Sequence, residues 1–308
     1  MKKDDTILIF QEPDLYFFPF YKDITFSPFG IPERSFRYLI YKALYILHIP
    51  YCSLFWGEWK NHIKDAKQVI IFDYGYQAGM ETYIHKINPN CRVYLFFWNI
   101  ITKERKNHLL FTDKASIYST DKGCCQTYGF QYNHIFYPKE FYQPYSPQHQ
   151  NKIFFIGHDK GRAAYIQKLC SFFQNCGLTC DIHVLSDSKN KIYRAALSDI
   201  LTDKNLSYFE YCKSMKHCGI LLDINQKGQT ALTMRVLESI YFSKKLITNN
   251  KDIVNYDFYN ENNIFLLPDK ITRTTADKLK SFLKKPFLPY SEEILDLYDF
   301  EHWKKQFI

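Results

Sequence analysis

Two stretches of this chain carry residue types suited to holding an anion. In the first, the apolar run Ile153-Phe154-Phe155-Ile156 ends on Gly157, followed by His158-Asp159-Lys160-Gly161-Arg162. Glycine lets a backbone come close to an oxyanion, and a helix start near Arg162 points N–H groups at it. Lys160 and Arg162 add positive charge at the same place, and Arg can clamp a phosphate with two hydrogen bonds. The same residues also fit an ordinary strand-to-helix turn with solvated charges. They make neither a dinucleotide fingerprint nor a Walker A loop.

The second stretch runs from Leu221 to Glu238 and includes Gly228-Gln229-Thr230-Ala231-Leu232-Thr233-Met234-Arg235-Val236-Leu237-Glu238. A buried strand leads into a polar, glycine-containing loop, then into a helix starting near Thr230 or Thr233. Arg235 and Glu238 stand three apart, on one helix face. They suit a surface ion pair. They equally suit a nucleotide, with amides on phosphate and a carboxylate on ribose hydroxyls.

The elements that must position these residues alternate. In the first half, apolar runs Ile7–Phe10, Val69–Phe72, Val93–Phe97 and Ile117–Ser119 are separated by helical patterns over 33–48, 77–87 and 121–128. Residues 137–152, with Pro138, Pro144 and Pro147, read as a linker. Alternation then resumes. Strands are expected at 152–156, 180–185, 219–223, 245–248 and 264–267. Helices are expected at 162–175, 208–217, 233–242, 276–283 and 292–307. Strand–helix alternation argues for parallel sheets wrapped by helices. The domains expected are 1–140 and 151–289, with 290–308 as a helix returning to the first.

The chain has 308 residues, enough for two domains, and a net charge of +8. That balance suits nucleotide phosphates or peripheral contact with an anionic membrane. The Lys and Arg residues are scattered, so no nucleic-acid partner is expected. Nine cysteines, without a C-x-x-C pair, read as buried thiols rather than disulfides or a zinc set. With no signal-peptide pattern before Thr6, a cytoplasmic location is expected.

The segment 222–250, with its Gly228–Glu238 stretch and Lys244-Lys245-Leu246-Ile247-Thr248-Asn249-Asn250, resembles bacterial glycosyltransferases of lipopolysaccharide and capsule assembly. Phe97-Trp98-Asn99, Ser119-Thr120-Asp121, Tyr128-Gly129, and Phe155-Ile156-Gly157 with Lys160-Gly161-Arg162 look alike too, in the right order. The resemblance implies a GT-B fold: α/β, with two Rossmann-like domains, a cleft between them, and a C-terminal helix crossing back. It implies a nucleotide-sugar donor on the C-terminal domain. The acceptor, a glycan or lipid-linked glycan, would sit on the N-terminal one. Glu238 would then bind the donor ribose, while Gly157, Lys160, Arg162 and the loop Gly228, Gln229, Thr230 and Thr233 would surround the diphosphate. Arg235 would lie near the phosphates or brace Glu238. The sequence departs from many retaining relatives at Thr230, where those carry a second Glu, so inversion and retention both stay open.

Charge on a departing diphosphate can be met by helix dipoles and basic side chains. No persuasive D-x-D follows a strand, so neither a metal nor another cofactor is expected. An inverting enzyme also needs a base near the acceptor hydroxyl. Asp73, directly after the run Val69–Phe72, ranks first, then Glu12 after the first strand; Glu81 on the next helix is a further candidate. Each also reads as a helix cap or solvated acid. Tyr51, Phe55, Trp56 and Trp59 read as core packing, or as a stacking platform for sugar rings. The two other readings are a nucleotide-sugar enzyme such as an epimerase, and a non-catalytic nucleotide- or glycan-binding protein.

Overall fold

A computed structural model of the chain describes residues 5–31, 35–46, 52–99, 101, 114–187, 190–226 and 229–308. The expected site residue Gly228, and also His48 and Tyr51, lie outside the described residues. The chain divides into two compact units. One is Met1–Asn133 with Phe307, and the other is His134–Gln306 with Ile308.

The first unit holds a parallel sheet of β1 (Thr6–Ile9), β2 (Thr25–Phe26), β3 (Gln68–Phe72), β4 (Arg92–Phe97), β5 (Ser116–Ser119) and β6 (Gln131–Tyr132), in the order β2-β1-β3-β4-β5-β6. Every residue of β1 and β3 is buried, as near-continuous apolar runs in a parallel sheet should be. Among the described residues its helices are α1 (Phe36–Ile46), α2 (Met80–Ile87) and α3 (Lys122–Tyr128). The side chain of Asp121 accepts a hydrogen bond from Cys124 N (2.8 Å) and Gly129 ends α3 at a φ of 70°, so the sequence supplies both caps.

The second unit repeats the plan with β7 (Lys152–His158), β8 (Thr179–Leu185), β9 (Leu201–Thr202), β10 (Ile220–Asp223), β11 (Lys245–Thr248) and β12 (Ile264–Leu266), in the order β12-β11-β10-β7-β8-β9. Its helices are α4 (Ala163–Asn175), α5 (Lys191–Ala196), α6 (Tyr208–Lys216), α7 (Met234–Tyr241), α8 (Arg273–Lys284), α9 (Glu292–Leu297) and α10 (Phe300–Trp303). Ile166, Leu169, Cys170 and Phe173 recur at helical spacing on α4 and join β7, β8 and β10 in one core.

The proline-containing stretch is fastened within the second unit. Gln143 N donates to Tyr241 O (2.7 Å), and Ser243 Oγ to Gln143 O (2.6 Å). The helix expected over 292–307 is interrupted by Tyr298 and Asp299. The Asp299 carboxylate accepts from Glu301 N (3.1 Å) and starts α10 instead. The ring of Phe307 packs on Tyr94 and Tyr118 of the first sheet.

Strand order reverses once in each sheet. In the second unit the chain runs β7-β8-β9 outward, then returns to place β10 on the other side of β7. In the first, β2 flanks β1 on one side and β3 on the other. The crevice beyond the carboxyl ends at such a reversal is where open α/β sheets bind ligands.

Candidate functional site

Gly157 lies near the end of β7, and β10 ends at Asp223, so both sequence stretches flank the strand reversal of the second unit. The turn after β7 settles its own backbone. Asp159 is buried; its Oδ1 accepts from Ala163 N (2.9 Å) and its Oδ2 from Tyr193 OH (2.5 Å). Lys160 takes a left-handed φ of 46°, rare for a residue with a Cβ, and Gly161 follows at 80°. The Asp187 carboxylate fixes this bend by accepting from Lys160 N (2.8 Å) and from His158 Nδ1 (3.0 Å). These bonds hold the Asp187 carboxyl below its usual range, Lys160 N first. Asp159 N and Arg162 N donate to Leu185 O and Asp159 O. The amides expected to face an anion here are therefore mostly committed inside the turn. The two carboxylates, Asp159 and Asp187, take up donors that a phosphate would otherwise meet.

Positive charge is gathered instead by side chains. The guanidinium groups of Arg162 and Arg235 both lie over the Phe155 ring, 5.3 and 4.6 Å from its centre. Both border Gly157: a Cβ there would stand 3.3 Å from Arg162 Nη2 and 3.6 Å from Arg235 Nη2. Arg162 donates to main-chain oxygens, those of His158 and Ile224. Arg235 donates to Ile156 O (2.5 Å) and lies 3.7 Å from Asp223 Oδ1. Burial, then the neighbouring charge of Arg235, pushes Arg162 down to about 10. Arg235 Nε is buried without a hydrogen-bond partner. Against the cost of burial, neighbouring groups led by Tyr211 and Asp223 favour the charged form of Arg235.

Asp223, fully buried, is the anchor beneath them. Its Oδ1 accepts from Thr233 Oγ1 (2.8 Å) and its Oδ2 from Thr248 Oγ1 (2.9 Å). Thr233 thus ties the start of α7 to the end of β10. The helix leaves the amides of Met234 and Arg235 as the orphan donors of its first turn. Gln229 and Thr230 shape the preceding loop: Gln229 Oε1 accepts from Gln226 N (3.4 Å), and Thr230 O from Asn250 Nδ2 (3.4 Å). Lys160 is exposed.

Arg235 and Glu238 share a helix, and Tyr211 neighbours both. Glu238 is 3% exposed, and its oxygens accept from Tyr208 OH (3.3 Å) and from Tyr211 OH. Tyr208 in turn shares a hydrogen bond with Tyr137. Burial raises the Glu238 carboxyl to about 7, against the opposing pull of Arg235 and the two tyrosines. The exposed ion pair is thereby excluded. Each Glu238 oxygen keeps a lone pair for a further donor.

In the first unit Asp73 and Glu12 follow the two strands that flank its reversal. Asp73, half-buried, accepts from Tyr74 N (3.0 Å) through Oδ1, and from Asn99 N and Nδ2 (both 3.3 Å) through Oδ2. Glu12 is exposed. Glu81 is buried at the start of α2, where Tyr76 OH reaches both its oxygens (3.3 and 3.2 Å). Trp59 is wholly buried and donates to Pro28 O (3.1 Å), so with Trp56 it belongs to the core.

Sequence reading did not single out Phe155, Asp223, Tyr208 or Tyr211. An acid closing the apolar strand 220–223 was a visible signal for Asp223. Tyr208 and Tyr211, three apart behind the Ser207–Glu210 capping box, were visible as one helix face.

No family model matches the chain, and no curated protein does. Solved structures do. Anabaena HepE in complex with UDP and glucose aligns over 98% of this chain and 97% of its own, at 11% identity and a TM-score of 0.53. TarM aligns over 79% of this chain at 12% identity and a TM-score of 0.48, and the chain spans 54% of TarM. The catalytic domain of Arabidopsis thaliana starch synthase IV, bound to ADP and acarbose, aligns over 72% of this chain and 70% of its own, at 8% identity and a TM-score of 0.42. These structural neighbours are GT-B glycosyltransferases. The end-to-end likeness to HepE shows the fold alone: two parallel six-stranded sheets with flanking helices, an α/β protein of GT-B architecture.

Proposed function

We propose that this protein is a glycosyltransferase that moves a sugar from a nucleoside-diphosphate donor to a bacterial surface glycan, of lipopolysaccharide or capsule type, in the cytoplasm. The observation that carries the reading is the pair of guanidinium groups bordering Gly157 at the strand reversal, with Arg235 Nε unpartnered. A diphosphate placed there meets two planar cations, the exposed Lys160 and the first amides of α7. As the bond to the sugar breaks, negative charge grows on the diphosphate, and preorganised cations stabilise that growth. The two arginines supply the charge compensation for which many such reactions use a divalent ion, so transfer proceeds without added metal.

In this reading Glu238 accepts a ribose hydroxyl, with Tyr208 and Tyr211 fixing its orientation. Gly228, Gln229, Thr230 and Thr233 form the loop around the donor. For transfer with inversion, Asp73 takes the proton of the acceptor hydroxyl, held in place by Asn99, with Glu12 as the alternative base. Candidate nucleotide sugars, presented with an acceptor glycan in a chelating buffer, test the proposal. The expected result is acceptor-dependent release of nucleoside diphosphate. Donor rearrangement without transfer would indicate an epimerase, and nucleotide binding without turnover a non-catalytic protein; either would overturn it.

A further inference from the structure

His158, the last residue of β7, is a titratable side chain that the proposed transfer leaves unused. In the parallel register it pairs with Leu185 of β8, and the chain leaving β8 brings Asp187 to its ring. His158 Nδ1 lies 3.0 Å from Asp187 Oδ1, while Asp187 Oδ2 accepts from Lys160 N (2.8 Å). The main chain ties His158 to the arginine pair. His158 O accepts from Arg162 Nε (3.2 Å) and Nη2 (3.1 Å), and the residue before it is Gly157, which both guanidinium groups border. The side chain itself is 56% exposed and so open to a ligand.

The Asp187 contact fixes what the ring can offer. Hydrogen bonds from Lys160 N, then from the His158 ring, hold the Asp187 carboxyl below its usual range and keep it ionised. An ionised carboxylate only accepts, so Nδ1 carries a hydrogen whether the imidazole is neutral or charged. Nε2 is then a bare lone pair in the neutral ring and an N–H donor in the charged one. Against a phosphate oxygen the first repels, and the second makes a charge-assisted hydrogen bond. Histidine is the side chain whose charge ordinarily changes between pH 5 and 8.

We infer that protonated His158 is a third cationic contact of the donor diphosphate, so that donor affinity falls as its ring loses the proton. This rests on the glycosyltransferase reading. The other charged groups around the turn behave differently. Arg162 of α4, pushed down to about 10, and Arg235 of α7 stay charged across neutral pH. Lys160 is an exposed cation of the turn itself, and Asp159 is buried against Tyr193 of α5. Glu238 titrates at about 7, but with the opposite sign: on losing its proton it becomes a better acceptor for a ribose hydroxyl.

Calorimetric titration of UDP, GDP, ADP and CDP in turn, from pH 5.5 to 8.5, tests the inference on the parent chain, His158→Gln and His158→Arg. Comparing chains at each pH removes the titration of the ligand's own phosphate and of Glu238, which all three share. The parent chain is expected to bind about tenfold more tightly than His158→Gln at pH 5.5, and no more tightly at pH 8.5. His158→Arg, cationic throughout, should match the parent at pH 5.5 and exceed it at pH 8.5. The exposed pair of His158 with Asp187 adds little to the fold, so the three melting profiles should coincide. A parent-to-Gln affinity ratio that stays constant with pH would overturn the inference and leave the glycosyltransferase reading standing. Failure of all three chains to bind any nucleoside diphosphate would remove both.

Discussion

The two units solve the same topological problem with opposite chemistry at the strand reversal. In the second, the carboxyl ends of β7 and β10 gather Arg162, Arg235, Asp223 and the carboxylates Asp159 and Asp187. In the first, the ends of β1, β3 and β4 gather rings. Phe10 stacks on Phe18 at 4.2 Å, Phe72 lies 5.2 Å from Phe10, and Trp98 is 5.4 Å from Phe72. Asp73 and Asn99 are hydrogen-bonded to each other at the same end. Architecture thus fixes where a ligand goes, and the residues at the reversal fix what it is. The charged end suits a diphosphate. In the proposed function the acceptor lies at the first unit's end, where Asp73 takes its proton.

The comparison breaks most visibly at Asp73. Replacing it with Asn should lower the transfer rate roughly 10²- to 10⁴-fold, the usual contribution of a general base, and leave nucleoside diphosphate affinity unchanged. Steady-state kinetics beside calorimetry would separate the two units. A comparable loss in Glu12→Gln, with Asp73→Asn active, would move the base to the first strand. The next largest effect belongs to the charged end. Loss of a charge-assisted clamp in Arg162→Ala should weaken nucleoside diphosphate binding roughly 100-fold.

Glu238 sharpens the contrast through stability. Burial raises its pKa to about 7 in the folded state, above the ordinary carboxylate value. The folded protein therefore holds this proton more tightly than the unfolded chain. Its contribution to stability is full below the unfolded pKa and is lost as pH rises toward about 7. Glu238→Gln should be more stable than the parent chain at pH 8, by on the order of 2 kcal/mol, and nearly equal at pH 5. Thermal melts at both values would show it. A pH-independent difference would contradict the buried-acid assignment. The smallest effect is expected at the aromatic end. Trp98→Leu should raise the acceptor KM severalfold, from about 1 kcal/mol of lost ring contact, without altering donor affinity.

Much of this contrast was legible in the sequence. The runs at 69–72, 153–156 and 220–223 named the strands, because parallel strands buried on both faces admit little but apolar side chains. Gly157 and Asp73 were marked by their places at strand ends, Arg162 by the helix start that follows, and Arg235 by its spacing to Glu238 on one helix face. Short edge strands such as Thr25–Phe26 and Leu201–Thr202 were not, since two residues carry no periodicity. The partners of Glu238 were hidden for a different reason. Tyr208 and Tyr211 stand about thirty residues before it, and only the packing of α6 near α7 brings their hydroxyls to the carboxylate. The sequence suggested amides as the anion donors after β7. The structure commits Lys160 N to Asp187 and Ala163 N to Asp159, while Arg162 and Arg235 meet over Phe155 by tertiary packing alone.

The most direct test of the central claim is calorimetric titration of nucleoside diphosphates into the parent chain and into Gly157→Ala. The added methyl would occupy the space between the two guanidinium groups, 3.3 Å from Arg162 and 3.6 Å from Arg235. The account predicts saturable binding of at least one nucleoside diphosphate to the parent chain. It predicts affinity at least about tenfold weaker in Gly157→Ala, equivalent to about 1.4 kcal/mol, with an unchanged melting profile. Equal affinity in the two proteins, or no nucleoside diphosphate bound by either, would contradict it.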